Sequence, residues 1–148
     1  MITCHSPNCQ ESQSPFALES SEIDALVDQA ALPPAINWPA LIDRCSGNTD
    51  FAIRALTVFE STGQERSDDI QRSVAAADFD RIAWSAHALA GIAGMLDAER
   101  LFELARKLDA AAHACDLART TQIADQLQSE MRRCLFEISI ICARAESK

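Results

Sequence analysis

The residues best suited to chemistry surround one histidine, His87, in the segment AHALAGIAGMLDA over residues 86–98. On a helix, the residues three and four positions away flank a side chain. Around His87 these positions, with one further turn, hold Ala83, Trp84, Ala90, Gly91 and Gly94. All but the tryptophan are small, so another protein can approach the ring closely. A free imidazole titrates near pH ~6.5, and its neutral form has a nucleophilic nitrogen. Such a nitrogen can attack, in line, a phosphoryl group that a partner presents.

The spacing alone leaves a second interpretation open, because a lone histidine on a helix is more often a surface residue of no consequence. The other two histidines are interpreted as having no role: His113 near the end of the following helix, and His5 in the N-terminal tail. Trp84 either forms part of a docking surface or covers an edge of the core.

The elements that must position His87 are helices. Asn37 is expected to cap a short helix that ends near Cys45. Longer helices are predicted over about 49–76, 79–95, 98–115 and from about 117 towards the C-terminus. The connections are short, which makes consecutive helices antiparallel neighbours, and no sustained period-2 run indicates a strand. The sequence therefore predicts an all-α fold, an antiparallel up-and-down four-helix bundle with an additional short N-terminal helix.

Apolar spacing assigns the faces of these helices. The third helix is expected to bury Phe79, Ile82, Ala86, Leu89 and Ala93, which leaves His87 at the edge of the core or beyond it. The predicted stripe of the second helix is interrupted and contains Phe51, Ala55, Val58, Phe59, Ile70 and Val74, with Gly63 as a weak point or bend.

The chain divides into a tail and one domain. Residues 1–35 form an N-terminal tail with a short helix over about 21–31, which begins at a capping-box pattern and ends at Pro33-Pro34. Whether this helix packs on the domain or docks elsewhere is left open by the sequence. Residues 36–145 form the helical bundle.

Composition limits the partners and the compartment. The net charge of −9 makes nucleic acid or an anionic membrane a poor partner. There is no apolar run long enough to span a membrane and no secretory signal, so we expect a cytoplasmic protein. Four of the six cysteines fall in helical segments and are interpreted as small buried apolar residues, namely Cys45, Cys115, Cys134 and Cys142. Cys4, His5 and Cys9 have no second pair of ligands, so we expect no metal site.

The segment from Phe79 to Ala112 resembles the signature of histidine phosphotransfer (Hpt) domains. In that pattern a histidine, a leucine, a glycine and downstream small residues and leucines recur together, and the residues of this chain that match are His87, Leu89, Gly91, Ala93, Leu96, Ala98, Leu101, Leu104, Leu108 and Asp109. Residues 36–59 are similar to the short opening helix of the family and the long helix after it. The resemblance covers roughly residues 36–140.

The resemblance implies that His87 accepts a phosphoryl group from a receiver-domain aspartate or a histidine kinase and passes it to a response regulator. It implies receiver domains or a hybrid sensor kinase as partners, no cofactor in this chain, and a magnesium ion held by the receiver. We expect no ATP-binding or hydrolytic site, and a monomer.

Two residues depart from the family pattern. The usual lysine three residues after the histidine is Ala90, and the common glycine before Ala98 is Asp97. Arg81, Arg100, Arg106 and Lys107 are the candidates to compensate for these changes, and which of them face the site is left open by the sequence. The alternative function is a non-phosphorylated Hpt-like module that only binds a receiver or kinase. A bundle that holds a metal or cofactor in its core would need inward polar ligands, which the sequence lacks.

Overall fold

The computed structural model describes residues 33–147, and all the regular structure in this range is helical. A short helix and four longer ones follow in order, which we number α1 Trp38–Arg44, α2 Thr49–Ala75, α3 Phe79–Met95, α4 Glu99–His113 and α5 Leu117–Glu146. Both α3 and α5 pack against α2 and against α4, so the long helices close a four-helix bundle. The predicted fold class is confirmed. The predicted helix over 21–31 lies outside the described residues.

Four of the helices begin at a side chain that accepts a hydrogen bond from the backbone N–H three residues later. These capping residues are Asn37, Asn48, Asp78 and Asp116. Each satisfies one of the N–H groups that the first turn of a helix leaves unpaired. The cap predicted at Asn37 is confirmed, and Asp78 sets the start of α3, the helix that carries His87.

The predicted inward face of α3 is confirmed. The α3 residues Ile82, Ala86, Leu89 and Ala93 are fully buried, and Phe79 is partly buried against them. The matching core residues of α4 and α5 are Leu101, Leu104, Ala105, Leu108, Ala112, Ile123, Leu127, Met131, Cys134 and Ile138. This packed interior holds α3 rigidly between its neighbours.

The stripe predicted for α2 is wrong in part, because Phe51 and Val58 are exposed. The buried face instead consists of Ala52, Leu56, Phe59, Gly63, Ser67, Ile70 and Ser73. Small residues dominate this face, so a search for large apolar side chains shifts the stripe round the helix. The helix is continuous through Gly63, and a Cβ there would lie 2.9 Å from Cε1 of Phe59. Glycine thus makes room for a core ring rather than breaking the helix.

The residues just before α1 pack on the bundle. Ala35 and Ile36 are buried, and their backbone N–H groups donate to the carboxylate of Glu137 on α5 at 2.8 and 3.1 Å. The N–H of Asn37 donates to the carbonyl of Asp97 at 3.2 Å. Ala35, which the sequence placed at the end of the tail, is therefore part of the core.

The cysteines divide by exposure. Cys134 is buried and Cys45 and Cys142 are partly buried, but Cys115 is exposed at the end of α4. The interpretation of Cys115 as a buried apolar residue is wrong, because it occupies the left-handed turn after the helix at φ 54° rather than a helical position. Across residues 33–147, no helix has the length and apolar character needed to cross a membrane.

Candidate functional site

His87 lies midway along α3, and its side chain is 84% exposed. Its neighbour Ala86 and the next core residue Leu89 are fully buried. Because these residues lock the helix into the bundle, the imidazole projects from a rigid base into solvent. The prediction that His87 lies at or beyond the edge of the core is confirmed.

Two glycines keep the surface beside His87 low. Gly91 is exposed, and a Cβ built on it would meet nothing within 4 Å, so the space beside the ring is open. Gly94 is partly exposed, and a Cβ there would lie 3.4 Å from the ring of Phe102 on α4. Gly91 therefore leaves open space on the outside of α3, whereas a Cβ at Gly94 would make an ordinary van der Waals contact with Phe102.

The two alanines predicted near His87 are less exposed than expected. Ala83 is partly buried against the core, and Ala90 is only 7% exposed. The placement of Ala90 among exposed neighbours of His87 is wrong. The reason is that α3 packs against both α2 and α4, so its buried face is wider than a single apolar stripe.

Trp84, one turn before His87, is 53% exposed and is stacked with two arginines. The guanidinium carbon of Arg66 on α2 lies 4.5 Å from the centre of an indole ring, and that of Arg81 on α3 lies 4.9 Å from it. Cation–π contacts of this kind favour a fixed ring orientation. Of the two interpretations that the sequence left open, exposure favours a surface platform over a covered core edge.

Polar contacts next to Trp84 connect α3 to α2. The carboxylate of Asp69 accepts hydrogen bonds from the hydroxyl of Ser85 and, at 2.9 Å, from Nε of Arg81. The hydrogen bond from Ser85, followed by that from Arg81, lowers the pKa of Asp69 below its usual value. Arg81 thus contacts both Trp84 and the partly buried carboxylate of Asp69.

On the α4 side of His87, one carboxylate lies between two histidines. Nδ1 of His87 is 3.7 Å from Oδ2 of Asp109, and Nδ1 of His113 is 3.0 Å from Oδ1 of the same residue. Nδ1 of His113 also lies 2.9 Å from the backbone carbonyl of Asp109. That carbonyl, and then the carboxylate, raise the pKa of His113, with a smaller contribution from Asp80.

The sequence analysis gave His113 no role and used Asp109 only as an acid of the family pattern, so it did not predict the contact between the two residues. The signal that could have found the pair is their i,i+4 spacing on α4, which places the two side chains on one face. The structure adds the packing of α4 on α3 that brings this face to His87. Within residues 33–147, no three His, Cys, Asp or Glu side chains are placed to hold a metal ion.

The negative charge of Asp97 is neutralised by Arg44 of α1, which is not one of the residues around His87. Arg44 of α1 donates to both of its carboxylate oxygens, from Nε at 3.0 Å and from Nη2 at 2.9 Å. The cation that pairs with Asp97 is therefore Arg44 rather than one of the four candidates, because the start and the end of α1 both contact Asp97 in the α3–α4 turn. The φ of Asp97 is 57°, in the left-handed region where glycine is favoured and aspartate is tolerated.

Comparison with known proteins decides the family. A family model described as the Hpt domain matches residues 54–135, more than half of the chain, and this range contains His87, Asp109 and His113. The chain belongs to the Hpt domain family. No curated protein and no solved structure matches it significantly. Hpt domains are phosphocarriers that serve histidine phosphotransfer in phosphorelays, where they interact with receiver domains and kinases.

Proposed function

We propose that this Hpt domain carries a phosphoryl group on His87. It takes the group from a receiver aspartate or a histidine kinase and passes it to the receiver domain of a response regulator. The observation that carries the proposal is the exposure of His87 on a rigid helix, beside the open space at Gly91. Phosphoryl transfer depends mainly on positioning and charge stabilisation, which a fixed, accessible imidazole supplies.

The contact with Asp109 supports the choice of Nε2 as the nitrogen that reacts. Nδ1 of His87 faces the carboxylate at 3.7 Å, so a small rotation of either side chain brings the Nδ1 proton into hydrogen-bond range. A proton held on Nδ1 leaves the lone pair on Nε2. Nε2 is therefore the acceptor, and it is the ring nitrogen directed away from Asp109.

The transfer step follows from this assignment. Nε2 attacks the phosphorus of the aspartyl phosphate as the bond from phosphorus to the aspartate oxygen breaks, and the receiver regains its carboxylate. The Nδ1 proton stays on the ring, whose positive charge then lies beside Asp109. The reverse sequence of bond changes delivers the group to a second receiver. We assign the magnesium ion to the receiver, and this chain supplies no cofactor.

The docking surface consists of Ala83, Trp84, Gly91 and Gly94 around His87, with Ala90 contributing little exposed area. Arg66 and Arg81 are fixed on Trp84 and place two cations on the α2 side of this surface. They take over part of the attraction for an acidic receiver that a lysine at position 90 would otherwise provide.

The test is transfer from radiolabelled receiver domains and hybrid kinases to the wild-type chain and to His87→Gln. Acid-labile, alkali-stable label on the wild type alone supports the carrier. No label from the complete set of donors, with the protein folded, rejects it.

A second function, binding without phosphorylation, is favoured by one observation. Ala90 stands where the family usually has lysine and gives the site no charge of its own at that position. In that case His87→Gln would leave both receiver binding and the cellular effect unchanged. The carrier proposal instead requires that His87→Gln abolish the cellular effect while receiver binding is retained.

A further inference from the structure

The contacts of Asp109 extend the site to a second histidine. Its two carboxylate oxygens face different rings: Oδ1 lies 3.0 Å from Nδ1 of His113, and Oδ2 lies 3.7 Å from Nδ1 of His87. The rotation of a carboxylate about its last bond is broad when nothing holds it. A contact on one oxygen therefore decides where the other oxygen points.

His113 is well placed to hold that rotation. It is the last residue of α4, one turn after Asp109, and its Nδ1 is within 3.0 Å of Oδ1 and 2.9 Å of the Asp109 carbonyl. Nδ1–H donates to the carbonyl, which fixes the ring beside Oδ1, and the 3.0 Å contact with Oδ1 becomes an ion pair when the ring is protonated. The ring itself is mostly exposed and fills no space in the core, so burial does not explain its position.

We propose that His113 is a positioning residue of the phosphoryl-transfer site. Through the 3.0 Å contact of its Nδ1 with Oδ1, it turns Oδ2 of Asp109 towards Nδ1 of His87, which keeps the His87 proton on Nδ1 and the lone pair on Nε2. The inference rests on the proposed function, since it concerns the nitrogen that accepts the phosphoryl group.

The neighbouring charged groups do not disrupt the contacts of Asp109 with the two histidines. On α3, Asp80 acts on His113 in the same sense as Asp109. On α5, the buried carboxylate of Glu130 is engaged by Arg100 of α4 and by Arg133, with Arg100 Nε at 3.4 Å. The carboxylate that contacts both histidines is that of Asp109.

The experiment compares His113→Ala, which removes the donor, with His113→Gln, whose amide restores a donor of similar reach. Nitrogen-15 NMR of the histidine rings reports the fraction of neutral His87 protonated on Nδ1 and needs no phosphodonor. Single-turnover transfer from a radiolabelled receiver domain gives the rate. We expect His113→Ala to lower both the Nδ1–H fraction and, by about fivefold, the rate. His113→Gln should restore most of each.

The effect of His113→Ala is measured a second time in the Asp109→Asn variant, as a double-mutant comparison. If His113 acts through Asp109, His113→Ala causes no further loss of rate in Asp109→Asn. An unchanged His87 tautomer in His113→Ala overturns the inference, and so does an equal loss in both backgrounds. If the wild type labels normally and His113→Ala labels as fast, this inference fails while the proposed function stands. If the wild type takes no label, the proposed function fails and the NMR comparison still decides the role of His113.

Discussion

Nδ1 of His87 on α3 lies 3.7 Å from Oδ2 of Asp109 on α4, so the exposed ring of this Hpt domain has a carboxylate beside it on the α4 side. The packing of α4 on α3 sets this relationship, because the two residues are far apart in the sequence. We infer from it that the two ring nitrogens have different roles, with Nδ1 towards the protein and Nε2 towards a partner.

The first prediction concerns that carboxylate. Asp109→Asn should slow transfer from a phosphorylated receiver by about tenfold, because the amide stabilises neither the Nδ1 proton nor the positive charge of the phosphorylated ring as well as a carboxylate does. Single-turnover transfer of radiolabel measures the rate. Asp125→Asn, at an exposed position on α5, is the control and should transfer at the wild-type rate. Equal rates for all three proteins would show that Asp109 has no role in transfer.

The second prediction separates access from stability at Gly91. Because a Cβ there meets nothing, Gly91→Ala should raise the free energy of unfolding by about 0.5–1 kcal/mol through better helix propensity. Gly91→Gln should also fold well but slow transfer by at least about tenfold, since its side chain occupies the space beside the His87 ring. Urea titration and single-turnover transfer measure the two effects. Normal transfer by Gly91→Gln would mean that partners do not approach over this residue.

The third prediction restores the family lysine. The long side chain of a lysine can carry its charge from the largely buried position 90 to the surface. Ala90→Lys should therefore speed transfer from an acidic receiver about threefold or widen the set of receivers that transfer, and the gain should shrink as salt is raised. The matched control is Ala88→Lys, which adds the same charge on α3 two residues nearer the helix start. Transfer assays at low and high salt compare them. If Ala90→Lys changed neither rate nor partner choice, the absence of the lysine would be unimportant.

The fourth prediction is a pH dependence of stability from Asp69. The hydrogen bond from Ser85 and the contacts with Arg81 lower its pKa in the folded protein. Its contribution is therefore complete above the pKa of the unfolded chain, near pH ~4, and is lost as the pH falls through the lower pKa of the folded state. Asp69→Asn should reduce the free energy of unfolding by about 1 kcal/mol at pH 7.

Measurements of the free energy of unfolding at acid pH check the direction of this pH dependence. Denaturant titrations at pH 7 and near pH ~3 should show the difference between wild type and Asp69→Asn shrinking at the lower pH. Ser85→Ala, which removes the largest cause of the pKa shift, should show a smaller change of the same kind. A difference that grows on acidification would contradict the assignment.

The sequence was sufficient for the parts of this protein that depend on local pattern. The apolar faces of α3, α4 and α5 follow the helical period closely, so the burial of Ile82 and the exposure of His87 could both be predicted. The face of α2 could not, because its buried side is made of small residues such as Ser67 and Gly63. Packing against neighbouring helices, not hydrophobicity, selects those positions.

Contacts between helices could not be predicted from the sequence. The pairing of Arg44 with Asp97 depends on how α1 crosses the α3–α4 turn, and the burial of Ala90 depends on α3 having neighbours on two sides. The i,i+4 spacing of Asp109 and His113 on one helix is enough to place these two side chains next to each other. The distance from Asp109 to His87 could not be predicted, because it depends on how α3 and α4 pack.

The central claim is that Nε2 of His87 carries the phosphoryl group. The most direct test is nitrogen-15 and phosphorus-31 NMR of the chain after transfer from a phosphorylated receiver domain. We predict one phosphorus signal coupled to Nε2 of His87, and none in His87→Gln. A phosphorus signal coupled to Nδ1 of His87 or to a nitrogen of His113, or no phosphoryl histidine in a folded chain that binds the receiver, would contradict the account.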